Sequence, residues 1–221
     1  MGTPKAESQL LAQKGRPLGP RAVRTRNRLL ETTAQLLAER SLLEITVAEI
    51  ARHAKISPGT FYHYFADVEE AALALAERAT LEMPDLVALF EGPWRGRDGI
   101  DTAREIASAF FDHWDAHHAA LRIRNFSAER GDERFAALRR AAFAPLLLGL
   151  AERIASAQQA GRVSKSLHPI AAAAALASML ERLATYHAEL EKYGVGRDDL
   201  IETCAAIMVR TLSAQSAATA L

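Results

Sequence analysis

Apolar positions open with a helical beat. Leu29, Leu30, Thr33, Leu36 and Leu37 recur at three- and four-residue intervals, which predicts a helix from about Arg21 to Arg40 with one inward face. A tighter pattern follows. Thr46 stands three residues before Glu49, the reciprocal pair of a capping box, and Ile50 and Ala51 form the inward face of a helix about two turns long. Lys55 and Ile56 read as a turn, and Ser57-Pro58 restarts a helix in the favoured N-cap then N1 order. Two short helices, a turn of about three residues and small residues at the crossing predict a helix-turn-helix. Phe61 and Phe65, four apart, are its buried pair. Ser57, Thr60, Tyr62, His63 and Tyr64 supply donors and aromatics suited to a groove or to phosphates, and Gly59 removes a side chain where backbone could approach DNA. Tyr62, His63 and Tyr64 are consecutive, so they cannot all enter one core.

Longer helices are expected beyond this point. Asp67 caps one that runs to about Met83, where Pro84 stops it, and residues 91–99 form a loop by composition. Asp101 caps the next, through about Ala120, with the stripe Ile106, Phe110, Trp114 and Leu121. His113 and His117 fall within about 20° of the line from Ile106, on that inward face. A shorter helix through Asn125 and Phe126 ends near Gly131. Asp132 starts a long one to about Ala160, through Phe135, Leu138, Phe143, Leu147 and Leu150, which Pro145 should kink and Gly161 should end. His168-Pro169 opens an Ala-rich helix to about Tyr193, and after Gly194-Val195-Gly196 Asp198 caps the last, with Leu200, Ile201, Cys204, Ile207, Met208 and Leu212. Runs rich in β-branched residues are few. The expected fold is all-α: an N-terminal three-helix helix-turn-helix head joined to a C-terminal helical body for ligand binding and dimerisation.

Charge sharpens the picture. The 221 residues carry 27 basic and 27 acidic side chains, a zero net charge that alone argues against a nucleic-acid binder. Residues 1–28 nevertheless hold Lys5, Lys14, Arg16, Arg21, Arg24, Arg26 and Arg28 against Glu7 only, a net +6 on an otherwise acidic chain. Such an arm is an electrostatic handle for a phosphate backbone. Residues 1–20, rich in Gly and Pro, should be disordered when free. They read either as a solubilising tail or as an arm reaching a minor groove through Arg16, Arg21 or Arg24. Three parts are expected: this arm over 1–20, a DNA-binding domain over 21–66, and an effector-binding and dimerisation domain over 67–221. No secretory leader or membrane-length apolar run is legible, and a single cysteine, Cys204, fits a reducing cytoplasm.

The segment TVAEIARHAKISPGTFYHYF resembles the DNA-binding head of the TetR (tetracycline-repressor-like) family. That pattern, Thr, Ile-Ala, a short turn, Ser-x-Gly-Thr, then aromatic-Tyr-x-Tyr-Phe, falls on Thr46, Ile50-Ala51, Ala54-Lys55-Ile56, Ser57-Pro58-Gly59-Thr60 and Phe61 to Phe65. The likeness covers about forty residues; beyond them only helix count and rhythm match. It implies that Thr60 and Tyr62 contact DNA backbone and that Pro58, Gly59 and His63 meet bases. Lys55 stands where the family usually has Gly, which implies either strain of about 1 kcal/mol or more at a positive φ, a different turn, or a phosphate contact that offsets it. Asp67-Val68-Glu69 replaces the family's Ser-Lys-Glu, so its phosphate-binding lysine is absent. With Thr46, Ser57 and Tyr64 these residues make up the expected DNA-binding set, and the implied partner is a double-stranded, pseudo-palindromic operator.

Three constellations remain. Phe110, Trp114, Phe126, Phe143, Leu147, Met179 and Leu183, with His113 and His117, read either as packed core or as an effector pocket whose polar groups face an apolar interior. The resemblance favours a partly apolar small-molecule effector there, and so a repressor released from its operator. The two histidines, four apart, could share a metal, but no third or fourth ligand is legible nearby. Neither a phosphate-cradling glycine loop nor a nucleophile elbow is present, so no cofactor and no enzyme is expected. The small-residue penultimate helix (Ala174, Leu176) and the last one (Ile201, Ala205, Met208) look like the paired-helix surface on which family members dimerise.

Overall fold

The computed structural model describes residues 18–83, 85–94 and 96–213. Among them the backbone forms nine α-helices and two single 3₁₀ turns. The helices are α1 (Pro20–Glu39), α2 (Val47–His53), α3 (Pro58–Phe61), α4 (Val68–Leu81), α5 (Leu86–Phe90), α6 (Gly96–Glu129), α7 (Glu133–Gln159), α8 (Pro169–Leu190) and α9 (Arg197–Ser213). The all-α expectation holds.

The chain divides into two compact units. One gathers residues up to Ala79 with Ala119–Ala136, the other Thr80–His118 with the chain from Ala137 onward. In the first, Leu29, Leu30, Leu36 and Leu37 of α1 are buried as the periodicity requires, with Ile50, Ala51, Phe61 and Phe65 of the helix-turn-helix. The Phe61 and Phe65 rings lie 5.6 Å apart. Phe65 also carries the Arg26 guanidinium 5.2 Å from its ring centre, so this arginine of the basic stretch covers core. Arg124 is buried in the same unit, its Nε donating to Asn125 Oδ1 at 3.2 Å.

Beyond α4 the helices depart from expectation in where they begin and where they break. A short helix, α5, precedes the 91–95 turn, and α6 begins at Gly96, ahead of Asp101. The two helices expected on either side of Ala120 are one, interrupted only at His117 (φ −125°, ψ 18°). As expected, α7 runs on past Pro145, to Gln159. The α5–α6 turn is packed tightly: a Cβ on Gly99 would meet the Trp94 backbone at 2.6 Å, and one on Gly149 the Phe90 ring at 2.3 Å. Phe90 and Trp94 stack at 6.3 Å, and the Trp94 indole donates to the Phe90 carbonyl at 3.1 Å.

Four helical segments end in one motif. The N–H groups of Lys55 and Ile56 donate to Arg52 and Ala51, those of Gly131 and Asp132 to Ala128 and Ser127, those of Gly161 and Arg162 to Gln158 and Ala157, and those of Gly194 and Val195 to Glu191 and Leu190. These are Schellman turns, which place the residue after the C-cap in the left-handed region. Glycine occupies that position in three of them. Lysine occupies it in the first, at φ 54°.

Candidate nucleic-acid interface and effector site

Local chemistry presents α3. Thr46 accepts from the Glu49 N–H at 3.3 Å while Glu49 accepts from the Thr46 N–H at 3.2 Å, so the capping box is closed. Arg40 reaches Glu49 at 3.0 Å, tying the end of α1 to the start of α2. This bond, with the Thr46 N–H, holds the Glu49 carboxyl below its ordinary range. The Schellman turn at Lys55 reverses the chain, and Ser57 Oγ then accepts from the Thr60 N–H at 3.1 Å.

Phe61 and Phe65 hold the inner side of the α3 segment, and the remaining positions face outward. Ser57, Pro58, Gly59 and His63 are exposed, Tyr62 retains 51 % of its surface, and Thr60 and Tyr64 are half-buried. A side chain at Gly59 would meet nothing closer than Ser57 Oγ at 3.8 Å, so the protein interior does not demand glycine there. Lys55, Thr46, Arg21 and Arg24 are exposed as well; Arg16 lies outside the described residues. The α3 segment thus exposes hydroxyl, phenol and imidazole groups within two helical turns, next to the exposed Lys55. Such a surface can hydrogen-bond to phosphates and to base edges.

Most of the expected effector set belongs to the second unit. Phe110, His113 and Trp114 are buried, while His117, Phe143, Leu147, Met179 and Leu183 are half-buried. The His113 and His117 rings lie 4.7 Å apart, and His117 Nε2 is 3.2 Å from Glu82 Oε2. Among the described residues no group of three or more His, Cys, Asp or Glu side chains could hold a metal ion. Phe110 meets Phe143 edge-on at 6.4 Å, with Arg139 over Phe143 and bonded to Glu181 at 2.9 Å. Phe126 requires a correction. It belongs to the first unit and is 43 % exposed beneath the Arg130 guanidinium, because the unbroken α6 carries it out of the expected stripe.

The expected dimer residues need correcting too. Leu176, Ile201, Ala205 and Met208 are buried within a single chain, so they pack the protomer's own core. Ala174 alone of that set is exposed, on the row Ala171, Ala174, Ala175 and Ser178 of α8; α9 exposes Thr203, Ile207 and Arg210. Small side chains face both sides of α8, so composition could not tell the inner side from the outer.

Sequence reading also passed over an open pocket of about 250 Å³ in the second unit, lined by Gly92, Pro93, Trp94, Arg153, Ser156, Arg162 and Leu212. Arg153 and Ser156, three apart on α7, were its available signal.

Comparison with known proteins agrees with the geometry. Residues 29–77 match the family model described as "Bacterial regulatory proteins, tetR family", and residues 85–218 match "Tetracyclin repressor-like, C-terminal domain". Among solved structures, the fatty acid degradation regulator FadR from Bacillus halodurans superposes with a TM-score of 0.65 at 15% identity, over 88% of this chain and 97% of its own. FadR from Bacillus subtilis in complex with stearoyl-CoA gives 0.63 at 14% identity, over 84% and 98%. Salmonella enterica GusR gives 0.62 at 20% identity, over 88% and 97%.

Proposed function

The chain belongs to the TetR family of DNA-binding transcriptional regulators, and from that membership we propose that it acts as a homodimeric repressor released from its operator by a small molecule. The observation that carries the reading is the α3 segment, which leaves Ser57, Pro58, Gly59, Tyr62 and His63 exposed while Phe61 and Phe65 fill the head's core. Tyr62, Thr60 and Lys55 bind phosphates and fix register; Pro58, Gly59 and His63 meet base edges. Arg21 and Arg24 extend the cationic surface at the start of α1.

Two heads per dimer enter successive major grooves about 34–36 Å apart. The outward rows of α8 and α9 supply the dimer surface; Ala171, Ala174, Ala175 and Ser178 permit close helix approach. The body takes the effector beside Phe110, His113, Trp114 and His117. That a structural neighbour holds stearoyl-CoA makes a partly apolar ligand a reasonable first probe.

The test is fluorescence anisotropy with the DNA upstream of the protein's own gene and a shuffled fragment, from dilute to moderate salt. Tight binding to the first, with a steep salt slope and a two-fold-symmetric footprint, is expected. Indifference to both fragments at every salt concentration would refute the reading.

A further inference from the structure

The pocket beside Trp94 is built for a negative charge, and we propose that it binds a small organic anion, a carboxylate or a phosphate ester, through Arg153 and Arg162. The site lies wholly within the second unit and shares no residue with the expected interior effector set.

Three observations support it. The first is the state of its cations. Elsewhere Arg40, Arg104, Arg134, Arg139 and Arg197 each hold a carboxylate. The pocket's two arginines make no such pair among the described residues, and Arg162 Nε is buried with no acceptor. A buried guanidinium N–H without a partner is unfavourable until something supplies an oxygen. The second is placement. Arg153 and Ser156 stand one turn apart near the end of α7, and the Schellman turn at Gly161 brings the chain back so that Arg162 lines the same hollow. Gln158 fixes that return by donating to the carbonyls of Ser164 at 2.8 Å and Leu167 at 2.7 Å. A wall braced in this way holds its cations in place before the ligand arrives. The third is the remaining lining: Trp94, Pro93 and Leu212 offer an aromatic and aliphatic floor beside the charged edge.

Size then narrows the occupant. At about 250 Å³ the open hollow lies just below the roughly 300–1,000 Å³ of drug-sized sites, so it encloses a compact group and not a whole acyl chain or coenzyme. A compact anion with a flat or short apolar body does. Guanidinium groups suit carboxylate and phosphate alike, since both present paired oxygens to a planar fork.

The experiment is calorimetric titration of the intact chain with sodium benzoate and with inorganic phosphate at fixed ionic strength, with benzamide as the uncharged counterpart. Saturable binding of one anion per chain is expected, at least tenfold tighter than benzamide. Benzoate alone identifies a carboxylate ligand, phosphate alone a phosphate, and both the shared chemistry. Arg153→Gln and Arg162→Gln should each weaken binding about tenfold or more while the chain melts cooperatively; if one variant does not fold, the other decides. Failure of both anions to saturate by about 10 mM, equal affinity for benzamide, or binding indifferent to the folded variants would each overturn the assignment. Since no step involves DNA, that failure leaves the repressor reading standing. A chain that takes the anion yet ignores every DNA fragment loses the repressor reading alone.

Discussion

Replacing Lys55 with glycine should make this protein more stable and a poorer DNA binder at once. The Schellman turn that separates α2 from α3 puts Lys55 at φ 54°, the conformation that Gly131, Gly161 and Gly194 adopt in the same motif elsewhere in the chain. For an L-residue the left-handed region costs about 1–2 kcal/mol. Glycine removes that strain but gives the unfolded chain more freedom, worth about 0.4–1 kcal/mol. The net gain is about 0.5–1 kcal/mol, or ~1–4 °C in Tm for a chain of this size. Lys55→Ala separates the two effects, because it deletes the charge and keeps the strain. Circular-dichroism melts of the three proteins should therefore rank glycine above both lysine and alanine. If Lys55 binds a phosphate, both variants also lower the slope of log affinity against log salt by about 0.9. A glycine variant no more stable than the alanine one would refute the strain argument. An unchanged salt slope in both would refute the phosphate contact.

Four further outcomes are expected. Tyr62→Ala should weaken specific and random DNA equally, whereas His63→Ala should alter sequence preference, a difference read from anisotropy on operator and shuffled fragments. Gly149→Ala should destabilise the body by about 1–3 kcal/mol, since the new methyl must displace the buried Phe90 ring, and a lowered Tm checks it. Glu49 has a folded pKa below its unfolded value, so its contribution is present above the ordinary carboxylate range and lost as pH falls through the lower native value. Glu49→Gln should flatten that acid limb in pH-dependent melts. Ala174→Glu should split the dimer in sedimentation with the fold intact, while Ala205→Glu, at a site with no exposed surface, should unfold the chain.

What could be read from sequence was local chemistry. Thr46 with Glu49 and Ser57 with Pro58 fix helix starts through bonds spanning three residues, and the structure forms them as expected. Phe61 and Phe65 were separable from Tyr62 and His63 because adjacent residues on a helix must diverge. The faces of α8 were not separable, since alanine is equally at home in a core and at a close helix contact. Phe126 was misplaced because a helical break was expected before it, and no glycine or proline lies between Gly99 and Gly131 to make one. The Trp94 pocket draws its lining from the α5–α6 turn, α7 and α9, distant in sequence, and only the folded chain shows their meeting.

A ligand in the body can free DNA only through its difference in affinity for free and operator-bound protein. Moving a population from 99:1 to 1:99 requires about 10⁴-fold discrimination, roughly 5.5 kcal/mol. An anion in the Trp94 pocket draws on two guanidiniums and one hydroxyl, and charge-assisted bonds contribute about 1.5–3 kcal/mol each. Full release would therefore require more than half of that interaction, about 4.5–9 kcal/mol in all, to vanish in the DNA-bound form, whereas a larger ligand near His113 has more binding energy to divide between states. Linkage is reciprocal, so the shift in operator affinity caused by saturating benzoate must equal the shift in benzoate affinity caused by operator. If the anion acts through this pocket, Arg162→Gln raises about tenfold the benzoate concentration needed for release, and the two shifts stay equal to each other. Release at an unchanged ligand concentration belongs to a ligand held elsewhere in the body.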